Sequence, residues 1–274
     1  MEKLEAALAK AREARLSGTT GVDVVQGGQR DQRSSVAAAW QALPEVVISA
    51  ERARQGRIGA LLGGKDATPY DMLRSRTFRT MKESNWSRIA ITSPNVACGK
   101  TTVALNLALS LARQKELKIA LIDLDLRRPS LHKLIGCKPA HSVHEMLEGK
   151  VTFAEAAVRI GDNLAIAMNN TASRHPAELL HSAQSRSILD AIEAQWRPDI
   201  FIFDMSPMLA SDDNVGFLGN VNCALLVTAA ESTTLQSIDI CEKELAQLTN
   251  VLGIVLNKCR YSDSSAGYGY EAYE

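Results

Sequence analysis

The chain has 274 residues, 46% of them hydrophobic, with 31 basic and 31 acidic side chains and a formal net charge of zero. That length suits one α/β domain plus extensions, and the balanced charge speaks against general nucleic-acid binding. There is no secretory signal pattern and no apolar run long enough to span a bilayer, and five scattered cysteines without metal-ligand spacing read as reduced cytoplasmic thiols.

Residues 2–16 favour helix by composition. Leu4, Leu8 and Ala11 give them a thin apolar stripe, suited to a solvated helix or to docking on a membrane or partner. Residues 17–36 read as a flexible linker. The stretch from Trp40 to Ile48 is more apolar and is expected to pack onto the main domain. Three parts result: an N-terminal helix and linker over 1–45, the main domain over 46–260 and a tyrosine-rich tail over 261–274. Tyr70 to Glu83 reads as a helix preceding the first core strand. It offers Asp71, Arg74 and Thr77 in one register and Arg76, Arg79 and Lys82 in another.

Arg88 to Thr92 is a short apolar run, expected to be a buried strand. A loop ending in Gly99-Lys100-Thr101-Thr102 comes next, and then a helical run from Val103 to Gln114. Strand, loop with Gly-Lys-Thr and helix are the context of a phosphate-binding loop. Its backbone N–H groups and the start of its helix make an anion site. Ala97, Cys98, Gly99, Lys100, Thr101 and Thr102 would cradle the phosphates of a nucleotide. Lys100 would reach the β- and γ-phosphates, and the Thr101 hydroxyl would meet Mg²⁺. The full pattern asks for glycine where Pro94 stands. Alanine disfavours positive φ, so the loop keeps its usual path only if Ala97 stays at negative φ.

A second apolar strand, Lys118 to Leu124, runs into Asp125, Leu126 and Arg127. Asp123 and Asp125 point the same way at its carboxyl end, where open α/β sheets bind ligands. Two carboxylates there call for Mg²⁺ or a proton-acceptor role; otherwise they are an ordinary solvated strand end. Ser130 to Ile135 reads as a short helix. His132, His141 and His144 are too irregularly spaced for a metal site and read as surface histidines. Leu164 to Met168 is a strand, and Pro176 to Trp196 one long helix with proline near its first turn. A third apolar strand, Asp199 to Phe203, ends in Asp204, where such ATPases place a second Mg²⁺-holding aspartate. Asn222 to Thr228 and Gly253 to Leu256 are further strands, with a helix from Leu235 to Leu248 between them, and Asn257 ends the last. The alternation predicts an α/β fold, a mostly parallel, doubly wound sheet with helices on both faces.

The tail holds four of the five tyrosines, Tyr261, Tyr268, Tyr270 and Tyr273, among glycines and serines, with Asp263, Glu271 and Glu274 nearby. Such a segment cannot bury enough apolar area to fold alone. By itself it reads as a packed terminus, a sticky tail or a functional cluster.

Taken together, these segments resemble the bacterial tyrosine kinases, or BY-kinases, of polysaccharide synthesis and export. The likeness rests on the phosphate loop, on LIDLDLRRPSLHKLIG (121–136) and on IFIFDMSPMLASD (200–212). SVHEMLEGKVTFAEA (142–156), HPAELLHS (175–182) and YGYEAY (268–273) extend it, so that it covers about Arg57 to the C-terminus. The resemblance implies the P-loop NTPase fold of the Min and Par ATPases. Their signature lysine would fall at Asn95 and is missing, which favours the kinase branch. It further implies ATP and Mg²⁺, and autophosphorylation between subunits at Tyr261, Tyr268, Tyr270 and Tyr273. Lys100 would stabilise phosphate charge, Asp123 would accept the tyrosine proton, and Arg127 would contact substrate or phosphate. Thr101, Asp125 and Asp204 would hold Mg²⁺, and Asn257 would contact adenine. Implied partners are a separate membrane-spanning polysaccharide co-polymerase that activates the kinase, a phosphotyrosine phosphatase and further copies of the chain, with no nucleic acid. The implied location is cytoplasmic, at the inner face of the membrane through the activator. BY-kinases form rings through a Glu-x-x-Arg-x-x-Arg helix, which neither register of Tyr70 to Glu83 matches. Two other readings stand beside this one: a Min or Par type ATPase switch that phosphorylates nothing, and a regulatory subunit with a decayed site.

Overall fold

A computed structural model describes residues 35–259, which divide into two units between Ala42 and Leu43. The expected helix at 2–16, most of the expected linker and the tyrosines Tyr261, Tyr268, Tyr270 and Tyr273 lie outside the described residues. In the first unit residues 35–42 are helical.

The second unit opens with α1 (Ala50–Gln55), α2 (Gly59–Leu62) and α3 (Gly64–Glu83). Neither of the first two was expected, and α3 begins six residues before the predicted start at Tyr70. Next come β1 (Arg88–Thr92), α4 (Lys100–Leu111), β2 (Ile119–Asp123), α5 (Leu131–Ile135), α6 (Val143–Leu147), α7 (Phe153–Ala156), β3 (Ala157–Ile160) and β4 (Leu164–Ala167). The chain continues through α8 (Pro176–His181), α9 (Ala183–Trp196), β5 (Ile200–Asp204), α10 (Asp213–Phe217), β6 (Cys223–Ala229), α11 (Leu235–Leu248) and β7 (Asn250–Asn257).

The seven strands form one sheet in the order β3-β4-β2-β5-β1-β6-β7. Every pairing is parallel except β3 with β4. The central strands are buried from end to end, as apolar runs covered on both faces must be. Alternation divides the core. Ile89, Ile91, Ile119, Leu121, Ile200 and Ile202 share one apolar cluster with α4. Phe201 and Phe203 turn to the other face, where Phe203 meets Phe217 of α10 edge-on at 5.1 Å.

Helix α4 is buried along its length except at Thr102, which its sequence dictates, since a helix apolar all round finds cover on every side. Two of its polar residues fasten the outer helices. Asn106 accepts from the Ala60 N–H at 2.9 Å and donates to the Arg57 carbonyl at 3.2 Å, while Ser110 Oγ donates to Asp71 at 2.8 Å. Asp71 also binds Arg74 at 3.2 Å and Arg113 at 2.8 Å. Desolvation pushes the Asp71 carboxyl up, but these contacts outweigh it and hold the group below its ordinary value. The first of the two registers considered for this helix thus serves packing within the chain.

One expectation fails outright. The single helix from Pro176 to Trp196 is two, because Ser182 takes an extended conformation (φ −69°, ψ 142°) and caps α9 through its side chain, 3.0 Å from the Ser185 N–H. A serine oxygen competing for the backbone ends a helix more readily than composition suggests. The apolar stretch from Trp40 to Ile48 spans the boundary between the units. Within the second unit, the Val46 N–H donates to the Arg159 carbonyl at 2.8 Å.

Candidate active site

Phosphate loop and three carboxylates meet at the carboxyl ends of β1, β2 and β5. The loop leaves β1 and is pinned from both sides. The Met208 and Leu209 N–H groups donate to the carbonyls of Ser93 and Pro94 at 2.8 and 3.0 Å. From the far side, Asn257 Nδ2 donates to the Cys98 carbonyl at 2.9 Å.

Two loop residues are left-handed, Gly99 at φ 93° and Ala97 at φ 62°. The condition set above, negative φ at Ala97, is therefore not met. Its side chain faces solvent, so the strain is the intrinsic one of an L-residue, about 1–2 kcal/mol, which the pins on either side hold in place. Gly99 is required twice over, since a Cβ there would also stand 2.2 Å from Asn257 Nδ2.

Lys100 opens α4 and is only 8% exposed. Its Nζ lies 2.7 Å from Asp125 Oδ2, 3.5 Å from Asp204 Oδ1 and 3.2 Å from Thr101 Oγ1. Burial alone would push this lysine down. Asp204, Asp125 and Asp123 outweigh it and hold the ammonium above its ordinary value.

Asp123 and Asp204 are register partners on adjacent parallel strands and are both wholly buried. Asp123 Oδ1 accepts from the Asp125 N–H at 3.2 Å, but Oδ2 has no hydrogen-bond partner, and Asp204 Oδ2 has none either, while Asp204 Oδ1 has only the 3.5 Å ion pair with Lys100. Burial, and next the repulsion of Asp204, raise the Asp123 carboxyl well above the usual range. Burial raises Asp204 too, against the pull of Lys100. Asp125 sits two residues beyond the last residue of β2 and receives the Arg128 N–H at 3.0 Å.

The site thus holds one cation against three carboxylates, with buried oxygens left unpaired. An oxygen-only donor set of Thr101, Asp125 and Asp204 fits Mg²⁺, which takes one or two carboxylates and completes its shell with water and phosphate. Among the described residues no group of three or more His, Cys, Asp or Glu is arranged around a common metal position, so nothing resembling an all-protein cage is present there.

Arg127 stands beside this cluster but is engaged elsewhere. Its guanidinium makes a bidentate pair with Asp213 at 2.8 and 2.9 Å, which holds it above its ordinary value. Asp213 is buried and also accepts from Ser206 at 3.2 Å and Ser211 at 2.9 Å. Sequence reading missed Asp213 and also Asn169, a buried side chain that donates to the Asp123 carbonyl at 2.7 Å. Neither sits in a spaced motif; a polar residue two positions beyond an apolar strand end is the only signal Asn169 leaves. His132, expected at the surface, is half-buried, and its Nδ1 has no partner. Burial, and next the charge of Lys133, hold it below its ordinary value.

Residues 89–268 match the family model described as the CobQ/CobB/MinD/ParA nucleotide binding domain. A putative tyrosine-protein kinase of the Klebsiella pneumoniae cps region is 32% identical over 78% of this chain and 28% of its own. The tyrosine-protein kinase YwqD of Bacillus subtilis is 30% identical over 72% of this chain and 86% of its own. Among solved structures, the kinase domain of the Escherichia coli tyrosine kinase Etk superposes with a TM-score of 0.66 at 27% identity, over 75% of this chain and 80% of that one. The chain spans only 24% to 28% of the length of several larger curated relatives that it matches.

Proposed function

Since this chain belongs to the bacterial tyrosine-protein kinases built on the CobQ/CobB/MinD/ParA nucleotide-binding domain, we propose that it transfers the γ-phosphoryl group of ATP to tyrosine hydroxyls, its own tail tyrosines Tyr261, Tyr268, Tyr270 and Tyr273 among them. The observation that carries the reading is the convergence of Lys100 with Asp123, Asp125 and Asp204 beside a phosphate loop. Such transfer needs little covalent chemistry from the protein and much positioning and charge neutralisation.

The loop from Ala97 to Thr102 cradles the phosphates, with Asn257 at the edge where the base would lie. Lys100 exchanges its carboxylate partners for phosphate oxygens. Thr101, Asp125 and Asp204 would hold Mg²⁺, which would supply charge neutralisation for the phosphates. The tyrosine oxygen attacks the γ-phosphorus, the bond from that phosphorus to the ADP oxygen breaks, and the phenolic proton passes to Asp123. Burial and next Asp204 raise the Asp123 carboxyl, so neutralising Asp204 would lower it and favour its taking that proton. Arg127, paired with Asp213 in the free protein, would steer the acceptor or the transferred group.

The proposal extends to a role in capsule or exopolysaccharide export, with a membrane-spanning activator and a phosphotyrosine phosphatase as partners and recruitment to the inner face of the membrane. No described helix is long and apolar enough to cross a membrane. The test is phosphotyrosine mass spectrometry of purified wild-type and Lys100→Met protein after incubation with ATP and Mg²⁺. ADP release without phosphotyrosine would replace the kinase reading with that of an ATPase switch.

A further inference from the structure

A second concavity opens beside the catalytic carboxylates, on the flank away from the nucleotide. It has a volume of about 370 Å³ and lies between the segment after β2, which carries Arg128, Ser130 and Lys133, and the segment after β4, which carries Asn170 and Thr171. No carboxylate lines it among the described residues. Arg127 at its edge is neutralised by Asp213, but Arg128 and Lys133 are exposed and make no ion pair with any described residue. Two uncompensated cations facing hydroxyl and amide groups make a site for an anion.

Its position decides which anion. The sheet runs β4-β2-β5-β1-β6-β7. The phosphate loop comes after β1 and Asn257 ends β7, so a nucleotide extends from β1 toward β7. The concavity lies on the opposite side, past β2. Two contacts tie it to the reacting centre: Ser130 Oγ donates to Thr101 Oγ1 at 3.2 Å, and the Arg128 N–H is held by Asp125 at 3.0 Å. A peptide whose tyrosine hydroxyl reaches Asp123 would carry its neighbours past this opening. Adjacent strands are about 4.8 Å apart and an extended peptide advances about 3.3 Å per residue, so the opening is reached one to three residues from the acceptor.

The tail sequence meets that spacing on one side. Every tail tyrosine has a carboxylate within three residues C-terminal to it: Asp263 after Tyr261, Glu271 after Tyr268 and Tyr270, and Glu274 after Tyr273. On the N-terminal side only Tyr273 has one as near.

We propose that the Arg128–Lys133 concavity is an acceptor-specificity subsite, which binds an anionic side chain one to three residues C-terminal to the tyrosine being phosphorylated. The anion is a carboxylate or, once modification has begun, a phosphotyrosine. The inference rests on the kinase reading and adds an order to it. Tyr270 and Tyr273, each followed directly by glutamate, are modified first. Phosphorylated Tyr270 then stands two residues beyond Tyr268 and anchors it in turn.

The test uses the full chain and a fluorescent peptide of residues 266–274, with Glu271 and Glu274 either native or both glutamine, and a third version carrying phosphate on Tyr270. Loss of a charge-assisted hydrogen bond weakens binding about tenfold or more, so Arg128→Ala/Lys133→Ala should raise the peptide KM by that factor with kcat and the KM for ATP unchanged. The glutamine peptide should show the same rise on wild-type enzyme and little further loss on the variant. The phosphopeptide should be the best acceptor at Tyr268. Fluorescence anisotropy without ATP repeats the comparison on Lys100→Met protein. Binding that depends on Arg128 and Lys133 there, with no phosphopeptide formed by wild type, would keep the subsite and overturn the kinase reading. Equal binding and equal KM for native and glutamine peptides, or equal losses for both on the double variant, would overturn the subsite.

Discussion

Replacing Asp123 by asparagine should cost the protein its phosphotransfer and make it more stable. The side chain is wholly buried, stands beside Asp204 and leaves Oδ2 without a partner. Asparagine keeps Oδ1, so the 3.2 Å bond from the Asp125 N–H survives, and Lys100 retains Asp125 and Asp204. What disappears is a carboxyl whose ionisation burial and the neighbouring Asp204 oppose. An unsatisfied buried polar group costs about 1–3 kcal/mol, and a shift of one pKa unit is worth about 1.4 kcal/mol. A gain of roughly 1–3 kcal/mol at pH 8 would raise Tm by about 2–12 °C for a domain of this size. The sign of the pH dependence comes from the raised carboxyl. Folded Asp123 holds its proton more tightly than unfolded Asp123, so its contribution is fully present below the ordinary carboxylate value and is lost as pH rises through the folded value. The advantage of Asp123→Asn is therefore smallest near pH 4 and grows toward pH 8. Urea unfolding of both ligand-free proteins across that range, with phosphotyrosine content measured alongside, checks each part. A variant less stable than wild type at pH 8, or a difference that does not grow with pH, would refute the reasoning.

Lys100→Met removes the cation that faces three carboxylates; breaking a buried pair costs about 3–5 kcal/mol, so the protein should stay folded with a lowered urea midpoint and release no ADP from ATP. Asp125→Asn should weaken the Mg²⁺ dependence of nucleotide binding while Asp123→Asn leaves it intact, and calorimetric titrations that failed to distinguish the two would mean the roles are wrongly divided. Ala97→Gly should stabilise by about 0.5–1 kcal/mol by relieving a left-handed alanine, whereas Gly99→Ala should displace Asn257 and weaken nucleotide binding in the same titration. Deleting residues 261–274 should spare nucleotide binding and abolish most autophosphorylation. Four phosphotyrosines would add roughly −6 to −8 charges to a chain of zero formal charge, so light scattering should show full-length assemblies separating after ATP and truncated ones unchanged.

The central strands and α4 were legible because burial on both faces writes itself as unbroken apolar runs, and Lys100, Asp123, Asp125 and Asp204 because they border those runs. The short helices α1 and α2 and the antiparallel edge strand β3 were not: four to six residues carry too little periodicity to separate them from loop. The break at Ser182 was hidden because serine is unremarkable by composition and acts only through its hydrogen bonds. The left-handed Ala97 could not be read locally, since the pins that hold it come from Met208 and Leu209 and, through Cys98, from Asn257. Arg127 was singled out while its partner Asp213, 86 residues away, was not, because pairing across the fold leaves no spacing in the chain.

The bond from Asn257 to the Cys98 carbonyl spans 159 residues, and this sets a timetable for a newly made chain. Synthesis proceeds at about 5–20 residues per second, so roughly 8–32 seconds separate the appearance of the phosphate loop from that of the residue that closes it. Strand β6, which pairs with β1 on that side, and β7 beyond it also follow the loop in the chain. A ribosome-bound chain therefore carries its Gly-Lys-Thr loop without this clasp until Asn257 has emerged and the β7 edge of the sheet can dock.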